Sequence, residues 1–450
     1  MSAEAGTVGR GRRGAGAMFR ALAQRNFRLF WAGSFLSNVG VWMQGVAQGW
    51  LVYELTDSPF WLGIDGLMAT APGLLLTLVG GVFADLVDRK RLLILTQAGA
   101  GLSALILAVL VWTGVVADAS DVWVILLLSF FTGACWAIAG PSYQAITSDL
   151  VRREDLSNAI ALNSTQFQLS RVIGPLLAGL TIQHLGMAGC FFANALSYVA
   201  IVAALARVRF GERRAEEVSP TVPPTAAAHG AVAAGETESA AAPAHALPDR
   251  RALWRDLVEG FRYAAARPRV RVLLVCSLVV SLFGTPYLVL MPVFARDVFG
   301  WDEKGLSLLT GSAGAGAFCG AVMLTYLGDF PRKGRFVLAS SFAASLCIMG
   351  FALAAPSRYA LALIFAVGFG MVCFFAVSNM LLQQLVTDAM RGRVLSMWLL
   401  TFVGTMPLGN FLAGLSAERF SAPATLVASG AVIAVFIASV ALFNARLREI

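Results

Sequence analysis

GGVFADLVDRKR, Gly80 to Arg91, ends an apolar run that begins near Trp61. Two aspartates, Asp85 and Asp88, stop the run, and Arg89, Lys90 and Arg91 follow directly. Runs of this kind, about 20 residues or longer, recur along both halves of the 450-residue chain, and each can cross a hydrocarbon core of roughly 30 Å as a helix. The chain is 58% hydrophobic and 13% charged, against about 25% charged in soluble domains. Its mean hydropathy is positive. This is the composition of an all-α membrane protein.

Twelve transmembrane helices are expected, over about 28–54, 60–85, 91–114, 122–149, 157–183, 186–208, 270–296, 303–328, 334–355, 358–386, 393–417 and 421–445. The first follows an Arg-rich tail and is too long and too rich in Gly, Gln and Trp for a cleaved signal peptide. The expected organisation is a cytoplasmic N-terminal tail (1–27), a six-helix bundle (28–208), a linker (209–252), an interfacial helix (253–268), a second six-helix bundle (269–446) and a cytoplasmic C-terminus (447–450). Residues 211–249 are rich in Ala, Pro, Glu and Ser, too polar to build a core, and are expected to be a disordered cytoplasmic linker. In RRALWRDLVEGFRYAAARPR, Leu253, Leu257 and Phe261 recur every four residues among arginines, the pattern of an amphipathic helix on the membrane surface.

The formal charge is +8, and the position of the basic residues decides what it means. With both termini on one side, all but five of the 34 Lys and Arg fall on that side. The opposite side holds Arg296, Lys304, Arg358 and Arg419, and Arg171 lies inside a span. The positive-inside rule then makes the termini cytoplasmic. The charge is topological and does not point to nucleic acid.

The six cysteines (Cys135, Cys190, Cys276, Cys319, Cys347 and Cys373) fall within or beside expected spans without CxxC spacing, and read as small packing residues. His184, His229 and His245 are scattered and give a metal nothing to bind. No Walker A motif is present, so direct use of ATP is not expected, and no cofactor is.

The two halves echo each other. Residues 150–180 aligned without gaps on 385–415 pair Leu150 with Leu385, Phe167 with Phe402 and Gly174 with Gly409, and LAGL at 177–180 falls on LAGL at 412–415. GDFPRKGR at 328–335 repeats the aspartate-then-basic ending. Duplicated halves are how many transporters build a site at the bilayer midplane.

On these features the chain resembles the major facilitator superfamily over nearly its whole length. RNFRLFWAGSFLSNVGVWMQGVAQGWLVYELTDSPFWLG at 25–63, LSNAIALNSTQFQLSRVIGPLLAGL at 156–180 and DLVEGFRYAAARPRVR at 256–271 look like the branch of bacterial exporters that includes the enterobactin exporter and multidrug and secretion transporters. The resemblance implies the major facilitator fold of two pseudo-symmetric six-helix bundles. Gly81, Asp85, Arg89 and Lys90 fit the superfamily's loop motif, from which Leu86 and Asp88 depart. Gly174, Pro175 and Gly179 resemble the fifth-span motif of antiporters, with Ser170 and Ala178 where that motif usually has glycine.

The residues themselves carry a matching chemistry. Gly81 permits close helix approach, and Asp85 can accept hydrogen bonds at a helix N-terminus. The repeat points to the start of span eleven, near Arg391 and Arg393, as the partner of a latch formed by Gly81, Asp85, Asp88, Arg89 and Lys90. Anchoring alone would account for the basic residues but needs neither the aspartates nor Gly81. Proline bends span five, and its small residues pack closely.

Arg171 is the most informative residue, because a cation near mid-depth costs at least about 2.5 kcal/mol and faces a cavity or a partner. It borders a stripe formed by Asn163, Gln166, Ser170 and Gly174. Asp65 and Glu54 are its candidate counter-charges, and Asp65 is the better proton-carrying site. Further candidates for a substrate cavity are Asn38, Trp42, Gln44 and Phe167 in the first half and Asn379, Gln383 and Thr401 in the second. Met406 stands at the repeat position of Arg171. The first half is thus expected to carry coupling and the second to shape the substrate site, with Trp136, Phe283, Phe375 and Trp398 as further aromatic candidates.

The expected function is secondary active, proton-coupled efflux of a small amphipathic organic molecule (a drug, siderophore or secondary metabolite) by an antiporter of the cell inner membrane. A monomer in contact with lipid is expected. The alternatives are a proton-coupled importer or facilitator, and a non-transporting sensor or scaffold. An enzyme is not expected, since no nucleophile–base pair stands in the spans.

Overall fold

The structure, a computed structural model, describes residues 19–86, 88–208, 250–354 and 357–443. Within them, the side chains of 77–86, 144, 250–257, 357 and 389 lie outside the description. The linker at 209–249, most of the N-terminal tail, Leu253, Leu257 and the last seven residues therefore carry no structural statement.

The described chain is helical. In the first half, α1 is Arg25–Thr56, α2 Pro59–Leu86, α3 Arg89–Trp112, α4 Val122–Leu150 and α5 Leu156–Arg207. Two expected spans are fused in α5, but Gly186 at φ 69° and ψ −178° breaks the helical path inside it. Only glycine adopts that conformation without steric cost. A short amphipathic helix, α6 (Arg250–Ala266), leads into the second half: α7 Pro268–Gly284, α8 Tyr287–Val293, α9 Glu303–Leu327, α10 Lys333–Ala352, α11 Ala360–Leu385, α12 Asp388–Val403, α13 Met406–Phe420 and α14 Ala422–Phe443.

Among the described residues, ten helices are long and apolar enough to cross a membrane. The difference from twelve has two sources. The segment 153–207 counts once although it turns at Gly186, and the 32-residue α1 is not among the ten. Gln44, Gln48 and Asn38, all on α1, lower its apolarity.

Two expected spans are broken, and both lie in the second half. Span seven stops at Gly284, resumes as α8 and ends in a π-helical turn, Phe294–Val298. Pro286, which lacks a backbone N–H, sits in the interruption. Span eleven divides at Gly404 and Thr405, with Pro407 opening α13. Broken helices at membrane depth are tolerated where protein or a cavity covers them, and α8 and α13 both pack against α2 of the first half.

The halves meet along two seams, α5 on α9 and α2 on α13. Small residues set the approach. Gly63 and Gly414 face each other: a Cβ on Gly63 would lie 2.8 Å from the Asn410 carbonyl oxygen, and one on Gly414 would lie 2.7 Å from the Gly63 Cα. A Cβ on Gly314 would collide with the Arg171 carbonyl. Without a hydrophobic drive between helices in lipid, such close van der Waals contact supplies the association. Gly63→Val is accordingly expected to destabilise this seam by about 1–3 kcal/mol, read as a lower unfolding midpoint of the detergent-solubilised protein, while a valine at the uncrowded Gly45 leaves it unmoved.

Helix α6 is docked on the second half. Glu259 pairs with Arg393 at 2.9 Å, and the Tyr263 hydroxyl lies 3.3 Å from Thr387 Oγ1 and accepts from the Thr387 amide at 3.3 Å. Phe261, on the face away from these contacts, is 66% exposed, an apolar side chain left for lipid or another surface.

Candidate functional site

Helix α1 presents Gln44 and Gln48 one turn apart, so both amides point to the same side. Gln48 Nε2 donates to both oxygens of Asp65, at 2.8 and 3.0 Å, and Ser129 Oγ on α4 donates to Oδ1 at 2.6 Å. The amide of Gln48 also lies 2.7 Å from Ser129 Oγ. Behind it, Gln44 Nε2 donates to Gln48 Oε1 at 3.2 Å, and Asn194 Nδ2 on α5 donates to Gln44 Oε1 at 2.6 Å. A continuous polar chain thus runs Asn194, Gln44, Gln48, Asp65. Among the described residues Asp65 has only neutral partners, so its carboxylate can exchange a proton without breaking an ion pair.

Two cavities adjoin this chain. One, of about 350 Å³, lies inside the first half and is lined by Asn38, Trp42, Gln44, Gln48, Phe167 and Asn194, among others. The other, of about 180 Å³, lies at the seam, where Trp42 and Asp65 meet Leu288, Pro292, Leu306 and Thr310. Trp42 is a wall of both.

Arg171 is not joined to Asp65 or Glu54. Its guanidinium carbon stands 5.2 Å from the Trp42 ring centre, its Nε is buried without a hydrogen-bond partner, and Glu54 is exposed on α1. The charges share a region of sequence pattern, but they project from different turns, a distinction that hydropathy does not carry.

The polar stripe of span five divides. Phe167 lines the inner cavity, whereas Asn163 donates to Thr147 Oγ1 at 2.9 Å and Ser170 Oγ to the Gln166 carbonyl at 2.8 Å, bonds internal to the first half. In the second half, Gln383 donates to Asn379 at 2.5 Å on an exposed face, and Thr401 Oγ1 to the Trp398 carbonyl at 2.8 Å. Trp398 stacks on Phe402 with centres 5.9 Å apart, and Phe402 meets Phe375 at 4.5 Å. Gln48, Ser129 and Asn194 escaped the sequence reading. Gln48 alone left a signal, one helical turn after Gln44.

The fifth-span motif also divides between two packing tasks. A Cβ on Gly174 would lie 2.5 Å from the Trp42 Cβ, inside the first half, whereas one on Gly179 would lie 2.8 Å from Ser307 Oγ across the seam. Pro175 is buried between them.

At the end of the bundle that carries Arg89, the described partners stay local. Asp88 caps α3 by accepting from the Arg91 amide at 2.9 Å. Arg89 pairs with Asp149 at 3.3 Å, and Lys90 donates to the Ala206 and Val208 carbonyls at 2.9 and 2.7 Å, tying the ends of α4 and α5 to the start of α3. Arg391 pairs with Asp388 at 2.5 Å, and Arg393 reaches Glu259. The side chains of Gly81 and Asp85 lie outside the described residues.

The opposite end is held across the halves. Arg296, in the π-helical turn, pairs with Asp57 and stands over the Tyr53 ring at 4.4 Å. The Tyr53 hydroxyl donates to Asp297. Glu418 accepts from Ser58 Oγ at 2.8 Å and from the Phe60 amide at 3.3 Å. Toward the Arg89 end the halves thin out: Gln168 Nε2 donates to the Ala317 carbonyl at 3.3 Å, Phe167 and Leu400 are 44% and 53% exposed, and a Cβ on Gly392 would meet nothing within 4 Å. Among the described residues, the bundle is pinched at the Arg296 end and more sparsely bridged toward the other.

The family model described as transmembrane secretion effector matches residues 16–235 and 230–450. The chain belongs to this family of the major facilitator superfamily. Among the relatives of this secretion-effector chain, the staphyloferrin A transporter of Staphylococcus aureus (strain NCTC 8325 / PS 47) is 24% identical over 398 residues, covering 87% of this chain and 90% of the relative. The enterobactin exporter EntS of Shigella flexneri is 25% identical over 409 residues, covering 90% and 88%. In three dimensions, the nucleoside transporter NupG superimposes with a TM-score of 0.68 at 11% identity over 94% of this chain and 100% of that one. A bacterial homologue of the iron transporter ferroportin, in its inward-facing state, gives 0.60 at 17% identity over 92% and 98%. The fold is that of the major facilitator superfamily, and the chain is a multi-span secondary transporter.

Proposed function

We propose that this transporter exports a small amphipathic organic molecule from the cytoplasm across the cell inner membrane in exchange for inward-moving protons, working as a monomer by alternating access. Asp65 is the proton site. The observation that carries the reading is the neutral cradle of Asp65, which opens onto the seam cavity and continues through Gln48 and Gln44 to the wall of the larger one. A proton there and a solute beside it occupy adjoining space, as coupling requires. Relatives named for staphyloferrin A and enterobactin support a siderophore-like secondary metabolite as cargo.

The Lys and Arg bias supports cytoplasmic termini. In that orientation the Arg89 end, sparsely bridged among the described residues, faces the cytoplasm and the Arg296–Asp57 closure faces outward, which supports reading this conformation as the one that loads cargo. The proposed latch of Gly81, Asp85, Asp88, Arg89 and Lys90 with Arg391 and Arg393 would join the cytoplasmic ends in the outward-facing conformation.

The test uses inverted membrane vesicles with an imposed pH gradient and a panel of dyes and siderophore-like compounds. Accumulation of at least one compound is expected only while the gradient stands, and to collapse when a protonophore is added. Compounds that equilibrate at the same rate with and without the gradient would instead indicate a facilitator.

A further inference from the structure

We infer that Arg171 is the docking point for a negatively charged group of the cargo, and that the transported class is an amphipathic organic anion carrying an aromatic or similarly flat apolar part. The inference rests on the transporter reading above and narrows its substrate.

A cation near mid-depth must be compensated, because neither lipid nor an apolar seam solvates it. Among the described residues nothing on the protein does so. Asp65, the natural counter-charge, spends its hydrogen bonds on Gln48 and Ser129. Glu54 is exposed elsewhere on α1. The groups facing the Arg171 side chain are the Trp42 ring from α1 and the Tyr287 phenol from α8, neither of them a carboxylate.

What surrounds the guanidinium suits a ligand. Trp42 covers one face of the ion at 5.2 Å, an attraction that holds a cation without neutralising it. Of the three side-chain nitrogens, Nε is buried without a partner, and among the described residues the two terminal nitrogens make no hydrogen bond or ion pair. Those two form the edge that grips a carboxylate with paired hydrogen bonds. Phe167 lies one helical turn before Arg171 on α5, lines the larger cavity and meets Trp42 edge-on with ring centres 6.4 Å apart. A guanidinium edge beside Trp42, the ring that walls both cavities, and one helical turn from Phe167, which lines the larger, matches an anionic head attached to a flat apolar body. The orphaned charge is therefore half of a pair whose other half arrives with the cargo.

The experiment takes the full-length protein in detergent and three probes that share one ring system: 2-naphthoate, the neutral 2-naphthamide and 2-naphthylmethylammonium. Binding is read by saturable quenching of tryptophan fluorescence. Naphthoate is expected to bind best. Arg171→Gln should weaken it by about tenfold to a hundredfold and leave naphthamide unchanged, with Arg171→Lys recovering part of the loss. A purely structural role for Arg171 would weaken all three probes together. The inference is overturned if naphthoate fails to bind at any soluble concentration, if the ammonium probe binds best, or if Arg171→Gln leaves naphthoate affinity unaltered. The same probes in proteoliposomes keep the two claims apart. Transport of the ammonium probe alone removes the anion and leaves a transporter. Arg171-dependent binding of naphthoate without movement of any probe under a pH gradient keeps the anion site and removes proton-driven export.

Discussion

Asp65→Asn is expected to reduce pH-gradient-driven accumulation in proteoliposomes to the level of protein-free vesicles while leaving solute exchange intact. Asparagine keeps the size of the side chain and can still hold Gln48 and Ser129, so the cradle that joins α1, α2 and α4 survives. What disappears is the group that can gain and lose a proton. A carrier whose coupling site is frozen in a neutral form can still alternate with cargo bound, and labelled cargo inside should still exchange with unlabelled cargo outside. Loss of both activities from a well-folded variant would mean that Asp65 shapes the cavity and that the proton rides elsewhere. Full retention of gradient-driven accumulation would remove Asp65 from the mechanism altogether.

The second large effect is expected at the pinched end. The Arg296–Asp57 pair is mostly exposed on the aspartate side, 75%, and such pairs contribute at most about 1 kcal/mol. The Tyr53–Asp297 bond differs, because Tyr53 is only 3% exposed and its acceptor is charged. A bond of that type contributes about 1.5–3 kcal/mol. Asp297→Asn combined with Arg296→Gln should therefore move the balance between the two conformations by at least about tenfold toward opening at this end. Spin labels at Val115 and Leu353, both exposed beyond the helices of this end, should then report a longer-distance population that the parent lacks. An unchanged distance distribution would assign the closure to the glycine seams instead, chiefly Gly63 against Gly414.

Much of the architecture was legible because it follows from one-dimensional quantities. An apolar run long enough to span, a basic cluster at its end and a repeat offset that aligns LAGL with LAGL each need only the order of residues. The interruptions after Gly284 and at Gly404 were not legible, because Pro175 sits inside a continuous helix while Pro286 and Pro407 stand at breaks. Proline marks a possible interruption, and packing decides whether it occurs. The proton site was half legible. Asp65 stands out as an acid in a span, but its partners lie 17 and 64 positions away, and no periodicity connects α1, α2 and α4. The stripe of Asn163, Gln166 and Ser170 shows the reverse. Its spacing places one face of a helix together, but Asn163 and Ser170 bond to α4 and to their own backbone, while Phe167, Arg171 and Gly174 turn toward Trp42.

The orphaned charge of Arg171 has an electrical consequence. Outward passage of a monoanion with Asp65 ionised carries one net negative charge out, and the return with an empty site and Asp65 protonated carries one positive charge in. Both strokes run downhill in a cell that is negative inside, so two elementary charges cross per cycle. At 100 mV that is about 4.6 kcal/mol of driving force from voltage alone. A potassium diffusion potential set by valinomycin, with no pH difference across the bilayer, should then suffice to pump an anionic cargo, and the current it draws should reverse when the imposed voltage does.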